Sequence, residues 1–147
     1  MSILLSPFDL PPGRLLALDL GRARIGVAVC DEDGTLATPL TVIRRHRTRA
    51  GDFAALAALA GRERAVGLLV GLPLDSEGET GAQARWVRRY AGRLAGALSL
   101  PVAFWDESHS TEDATRLIRE SGGRTAVDAA AAAVILGDFL EARRTGK

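Results

Sequence analysis

The chain is poor in the residues that build soft-metal sites and cross-links. It has one cysteine, two histidines and one lysine in 147 residues. A lone thiol, Cys30, forms no intramolecular disulfide and excludes a cysteine-built zinc site. His46 and His109 are too few for a histidine-rich metal centre. Any bound metal should therefore be a hard cation held by carboxylates. No apolar run is long and charge-free enough to cross a bilayer. The first thirteen residues contain Asp9 and three prolines, Pro7, Pro11 and Pro12, without a basic start or a sustained apolar stretch. No signal peptide is expected, so the default location is cytoplasmic. There is no internal repeat, linker or low-complexity segment.

The remaining composition is that of one globular domain. Residues 1–13 are expected to form a flexible arm, and residues 14–147 a single domain. Net charge is +1, but it is unevenly spread: residues 1–99 carry 13 Arg against 10 acids, whereas residues 100–147 are acidic by two charges. Basic residues cluster from Arg44 to Arg49 and at Arg85, Arg88, Arg89 and Arg93. Such clusters can bind phosphate backbones. For either cluster alone, a solvated surface in an arginine-rich protein is the better explanation.

Apolar runs at 14–20 and 24–30 predict two strands, followed by an Asp31–Gly34 turn and a third strand over 37–43. Pro39 places that third strand at an edge. Phe53, Leu56, Ala57 and Ala60 repeat at helical spacing. A strand over 65–70 and a Gly-rich loop over 71–81 follow. Trp86, Tyr90, Leu94 and Leu98 then mark one helix face, with the arginines mostly turned away. A fifth strand covers 101–105. Ser110 with Asp113 forms a capping box for a helix ending at Gly122–Gly123, and Thr125 caps an Ala-rich last helix. The order βββαβαβαα predicts an α/β fold, a mixed five-stranded sheet with helices on its faces.

Three acids stand out. Asp19 interrupts an apolar strand, where a charge is costly unless paired or bound to a cation. Its alternative is an ion pair with Arg22, Arg24 or another arginine. Asp106 and Glu107 end the fifth strand, where sites in α/β sheets are built. Taken alone, these two are better explained as part of a polar strand-to-helix loop. Asp128 opens the last helix, where an acid also offsets the dipole. If the first strand lies centrally beside the fifth, the acids meet at one end of the sheet. Two metal ions in such a cluster activate a water and stabilise a leaving oxygen in phosphodiester hydrolysis.

Four segments carry a resemblance: Leu18-Asp19-Leu20-Gly21 with Arg24-Ile25-Gly26-Val27-Ala28; Val70-Gly71-Leu72-Pro73-Leu74 with Gly78; Asp106-Glu107 with Ser110-Thr111; and Val127-Asp128-Ala129-Ala130-Ala131 with Ile135-Leu136. In this order and spacing, from about Leu16 to Glu141, the chain resembles the bacterial YqgF/RuvX family. This RNase H-like group is described both as pre-16S rRNA processing nucleases and as Holliday-junction resolvases. The resemblance implies an RNase H-like fold and a metal-dependent nuclease with catalytic, metal-holding Asp19, Glu107 and Asp128. Asp106 is the fallback if the register is one residue off. It implies Mg²⁺ or Mn²⁺, two ions, as cofactor. Implied partners are structured RNA or branched DNA and the ribosomal small-subunit precursor, with no membrane, for a monomer or homodimer. Arg22 and Arg24 flank Asp19 and are the basic residues expected nearest the scissile phosphate, with Ser110 and Thr111 as further nucleic-acid contacts. The 71–81 loop leads into a helix whose free N–H groups can hold a phosphate, or is an ordinary connection. Ser108 stands where the family typically has Arg, which removes a phosphate contact beside the metal site. His109 replaces a usual apolar residue.

Two other classes fit less well. Nucleotide-binding proteins of the actin/hexokinase type share the strand–Asp–Leu–Gly–turn–strand opening, but they need two such domains and a second Asp-Gly-Gly phosphate loop. A catalytically dead binding module conflicts with three acids at the expected places.

Overall fold

A computed structural model describes residues 3–73, 81–106 and 124–146, with side chains in the last segment from Asp128. The strands are β1 (Leu15–Leu20), β2 (Arg24–Cys30), β3 (Ala37–Arg44), β4 (Gly67–Leu72) and β5 (Val102–Asp106). The helices are α1 (Arg49–Glu63), α2 (Ala82–Leu98) and α3 (Arg124–Arg144).

The sheet order is β3-β2-β1-β4-β5. The two hairpins are antiparallel, while β1, β4 and β5 run parallel. This is the expected mixed α/β sheet, with one correction. β1 is central, but β4 separates it from β5, because the crossover through α1 sets β4 beside β1 first. β3 is an edge strand as expected, and a register shift at Val27/Ala28 falls where Pro39 pairs. The helix expected over 110–123 lies outside the described residues.

Alternation along β1 divides the core. Leu16, Leu18 and Leu20 face α1 and α2, together with Val87, Tyr90 and Leu94. Leu15 and Ala17 face α3 and meet Ala132, Ile135, Leu136 and Phe139. Helices thus cover both faces, and β1 is buried on both sides, as its uninterrupted apolar run requires.

Several boundaries shift for local reasons. β4 starts at Gly67 rather than Ala65, because Arg64 turns left-handed (φ 55°) and Ala65 N–H still closes on Ala60. β5 starts after Pro101, which has no N–H for a ladder. α3 is helical from Arg124, so Thr125 lies inside the first turn instead of capping it. The buried stripe of α1 is Asp52, Leu56, Leu59 and Ala60, with Ala57 exposed.

The segment expected to be a flexible arm is docked. Ile3 bridges to Val102, and Leu4 N–H donates to the Val102 carbonyl at 2.8 Å. Ser6 accepts from Phe8 N–H to cap a 3₁₀ turn at Pro7–Asp9. Phe8 stacks on Phe139 at 5.8 Å, and Leu10 is only 2% exposed. Arg143 donates to the Leu10 carbonyl at 2.9 Å. Its prolines stiffen the segment, and its apolar side chains fill the α3 face and cover the edge of β5.

Candidate active site

Asp19 sits one residue from the end of β1. By alternation it belongs to the α3 side, after Leu15 and Ala17. Its ladder partner on β2 is Gly26. A Cβ on Gly26 would overlap the main-chain carbonyl of Asp128. Only glycine lets the backbone of α3 come down onto the sheet here, and that approach sets Asp128 beside Asp19.

The Asp19 carboxyl feels both its surroundings and its neighbour. Burial, and secondarily the Asp128 charge, push Asp19 up to about 6 from the usual carboxylate range. Asp19 has no hydrogen bond or ion pair among the described residues. Asp128 does: Arg24 Nε donates to its Oδ2 at 3.1 Å, with both side chains about one quarter exposed. Arg24 therefore pairs with Asp128, and neither Arg24 nor Arg22 forms the alternative ion pair with Asp19.

The parallel order brings the C-terminal ends of β1, β4 and β5 to this same end of the sheet. The starts of α1 and α2 follow the C-terminal ends of β3 and β4 and lie there too. Their N–H groups and dipoles favour an anion at that end. Asp106, the fallback acid, follows Phe104 by alternation and belongs to the α1/α2 side of β5, opposite to Asp19. Glu107, Ser108, His109, Ser110 and Thr111 lie outside the described residues, as does the loop over 74–80. Among the described residues, no three metal-ligating side chains cluster.

A buried network, unmarked in the sequence, fixes the turn after Asp19. Asp52 is fully buried. It accepts from Arg45 Nε at 2.5 Å, His46 N–H at 2.7 Å and Tyr90 Oη at 3.0 Å, and it contacts His46 Nδ1 at 3.0 Å. Burial alone would raise Asp52, but these donors outweigh it and hold the carboxyl below its usual range. Arg45 also donates to the Gly21 carbonyl at 3.1 Å. Its guanidinium lies 5.4 Å from the Trp86 ring centre and 4.8 Å from that of Tyr90. Arg22, which is exposed, lies over Trp86 at 5.2 Å. In sequence, Asp52 looks like an ordinary acid in a first helical turn behind the Thr48 cap, so nothing marked it.

The geometry defines a class first: an RNase H-like α/β domain with paired carboxylates at the end of its central strand. The fold is that of Thermus thermophilus RuvC. A structure of that protein in complex with a Holliday junction substrate superposes with TM-score 0.59 at 17% identity, covering 89% of this chain and 96% of RuvC. A second T. thermophilus RuvC structure gives 0.57 at 15% identity. The chain belongs to the RuvX family, described as "Holliday junction resolvase", whose profile matches residues 13–142. Relatives named "Putative pre-16S rRNA nuclease" include one from Anaeromyxobacter sp. (strain Fw109-5), 49% identical and spanning 88% of this chain and 98% of the relative. Another, from Chloroflexus aurantiacus, is 42% identical over 89% of this chain and 88% of the relative.

Proposed function

We propose that this chain is a divalent-metal-dependent nuclease that trims the 5′ end of pre-16S rRNA, with Asp19, Asp128 and Glu107 as its acids. The observation that carries the reading is the juxtaposition of Asp19 and Asp128 across Gly26. Two carboxylates held together, one half-buried and without a cationic partner among the described residues, suit a hard cation with oxygen ligands. Mg²⁺ or Mn²⁺ fits this donor set. β5 ends at Asp106, at the sheet end where Asp19 lies, and Glu107 is the next residue in sequence, which supports it as the third acid. When bound, the metal supplies Lewis-acid stabilisation of charge on the phosphate and lowers the pKa of a water.

The chain's own groups do the rest. Asp19 and Asp128 place negative charge at one fixed point, Arg24 orients the Asp128 carboxylate, and the helix starts and Arg22 favour the anionic substrate. Ser110 and Thr111 follow the third acid and are proposed as further contacts to the nucleic acid. The names of the relatives favour precursor rRNA as substrate and the small-subunit precursor as partner. The family description favours a second reading, resolution of four-way DNA, which needs paired cuts and hence a dimer. Among the described residues, no helix is long and apolar enough to cross a membrane. A cytoplasmic site of action is part of the proposal.

The test incubates purified protein with a precursor 16S rRNA end and, separately, with a synthetic four-way junction, in Mg²⁺ or Mn²⁺. Cleavage of the rRNA end, abolished in Asp19→Asn, is the expected result. Cleavage of the junction alone establishes the second reading. Cleavage of neither, or equal cleavage by Asp19→Asn, contradicts the assignment.

A further inference from the structure

The two arginine clusters are some forty residues apart in sequence, yet they meet in space. Arg45 carries the first cluster onto Trp86 and Tyr90 of α2, within the helix that holds the second. Arg22, from the turn after β1, reaches the same indole. Gly21, whose carbonyl Arg45 holds, is two residues from Asp19, about 7 Å along the chain. This basic surface therefore begins beside the paired carboxylates and extends over the α1/α2 side of the sheet end.

Its arginines divide into two kinds. Arg45 is committed to Asp52 and Gly21 and shapes the surface. Arg22, Arg49 and Arg89 are exposed and have no carboxylate partner among the described residues. Arg22 lies over the face of Trp86 and makes no hydrogen bond among the described residues, so its N–H edges can donate to a ligand. Arg49 is the first residue of α1, close enough to Tyr90 for its charge to act on the phenol. Arg89 lies on the outer side of α2, whose first turn has no acid. Helix starts favour acids. Here arginine opens α1, whose first-turn acid Asp52 is buried and taken by Arg45, and α2 has no acid in its first turn, so the positive charge on the surface is not offset there.

We infer that Arg22, Arg49 and Arg89, arranged around the Arg45–Trp86 stack, form a phosphate-binding track for the nucleic-acid strand that leaves the Asp19–Asp128 site. The track deepens the nuclease reading and rests on it. It recognises the sugar–phosphate backbone, which RNA and DNA share, and carries no base code.

The test measures fluorescence anisotropy of a labelled single-stranded RNA and a labelled DNA duplex, in EDTA so that nothing is cut, across a series of salt concentrations. Arg22→Gln, Arg49→Gln and Arg89→Gln should each weaken binding several-fold. Each should also lower the slope of log K against log salt, by about 0.7 on the single strand or about 0.9 on the duplex for every phosphate that is no longer neutralised. Arg62→Gln removes the same charge from the far end of α1 and should leave the slope unchanged. All four side chains are exposed, so melting temperatures should match wild type. If the three track variants behave like Arg62→Gln while Mg²⁺-dependent cleavage by wild type is intact, the track is wrong and the nuclease reading stands. Binding that depends on the three arginines, without cleavage in Mg²⁺, supports the track and contradicts the nuclease reading. Absence of binding to either nucleic acid overturns the track, and Mg²⁺-dependent cleavage by wild type then decides the nuclease reading.

Discussion

Gly26 faces Asp19 across the β1–β2 ladder, and the main chain of Asp128 rests on it. One missing side chain thus determines how closely two carboxylates approach. Gly26→Ala forces a backbone overlap that no rotamer change relieves. It should cost about 3 kcal/mol of stability, at the upper end for overpacking. Thermal melting gives that loss. Cleavage should fall further than melting predicts, because α3 is lifted away from β1. Wild-type activity in Gly26→Ala would detach the helix position from function.

Asp19 gives the metal-free protein a distinctive pH dependence. Its folded pKa of about 6 lies above the ordinary value of 3.8. Its contribution to stability is therefore fully present below about pH 4 and is lost as pH rises towards 6. Two pKa units correspond to about 3 kcal/mol at most. Urea melts in EDTA at pH 4.5 and 7 should show this component, and Asp19→Asn should remove it. A divalent metal at pH 7 should restore the stability in wild type only.

Asp52 acts in the opposite sense. Its carboxyl is held low by its donors, so its contribution is present above about pH 4 and is lost on further acidification. Asp52→Ala leaves Arg45 without its carboxylate in a setting where that side chain is 18% exposed. A cost of about 3–5 kcal/mol is expected. Tyr90→Phe removes one hydrogen bond and should cost about 1–2 kcal/mol. Equilibrium denaturation of the two variants checks both values. Equal costs would mean that Asp52 does not organise the network.

The N-terminal segment is predicted to stabilise the domain. Leu10→Ala empties a site that is 2% exposed, against the α3 face, and should cost about 2–4 kcal/mol. A denaturation midpoint equal to wild type would return the segment to the status of a loose arm.

These residues show what the sequence made legible. Five strands, their hairpins and the parallel crossovers follow from apolar periodicity, because β1, β2 and β4 are short and nearly free of polar interruptions. Asp19 stood out for the same reason: a charge inside such a run has no local explanation. Gly26, Asp52 and Leu10 did not stand out, because their roles depend on partners about a hundred residues away (Asp128), on an adjacent helix (Tyr90) and on the opposite terminus (Phe139, Arg143). A glycine in a strand, an acid in a first helical turn and a proline-rich start each have ordinary local readings. The same locality explains why β4 was not foreseen between β1 and β5, and why Arg24 pairs with Asp128 across 104 residues.

The most direct test of the central claim is a calorimetric Mn²⁺ titration of wild type, Asp19→Asn and Asp128→Asn at pH 7.5. Saturable binding to wild type with a matching rise in melting temperature is expected, and loss of both in Asp19→Asn and Asp128→Asn. Undiminished Mn²⁺ binding by both variants would contradict the claim.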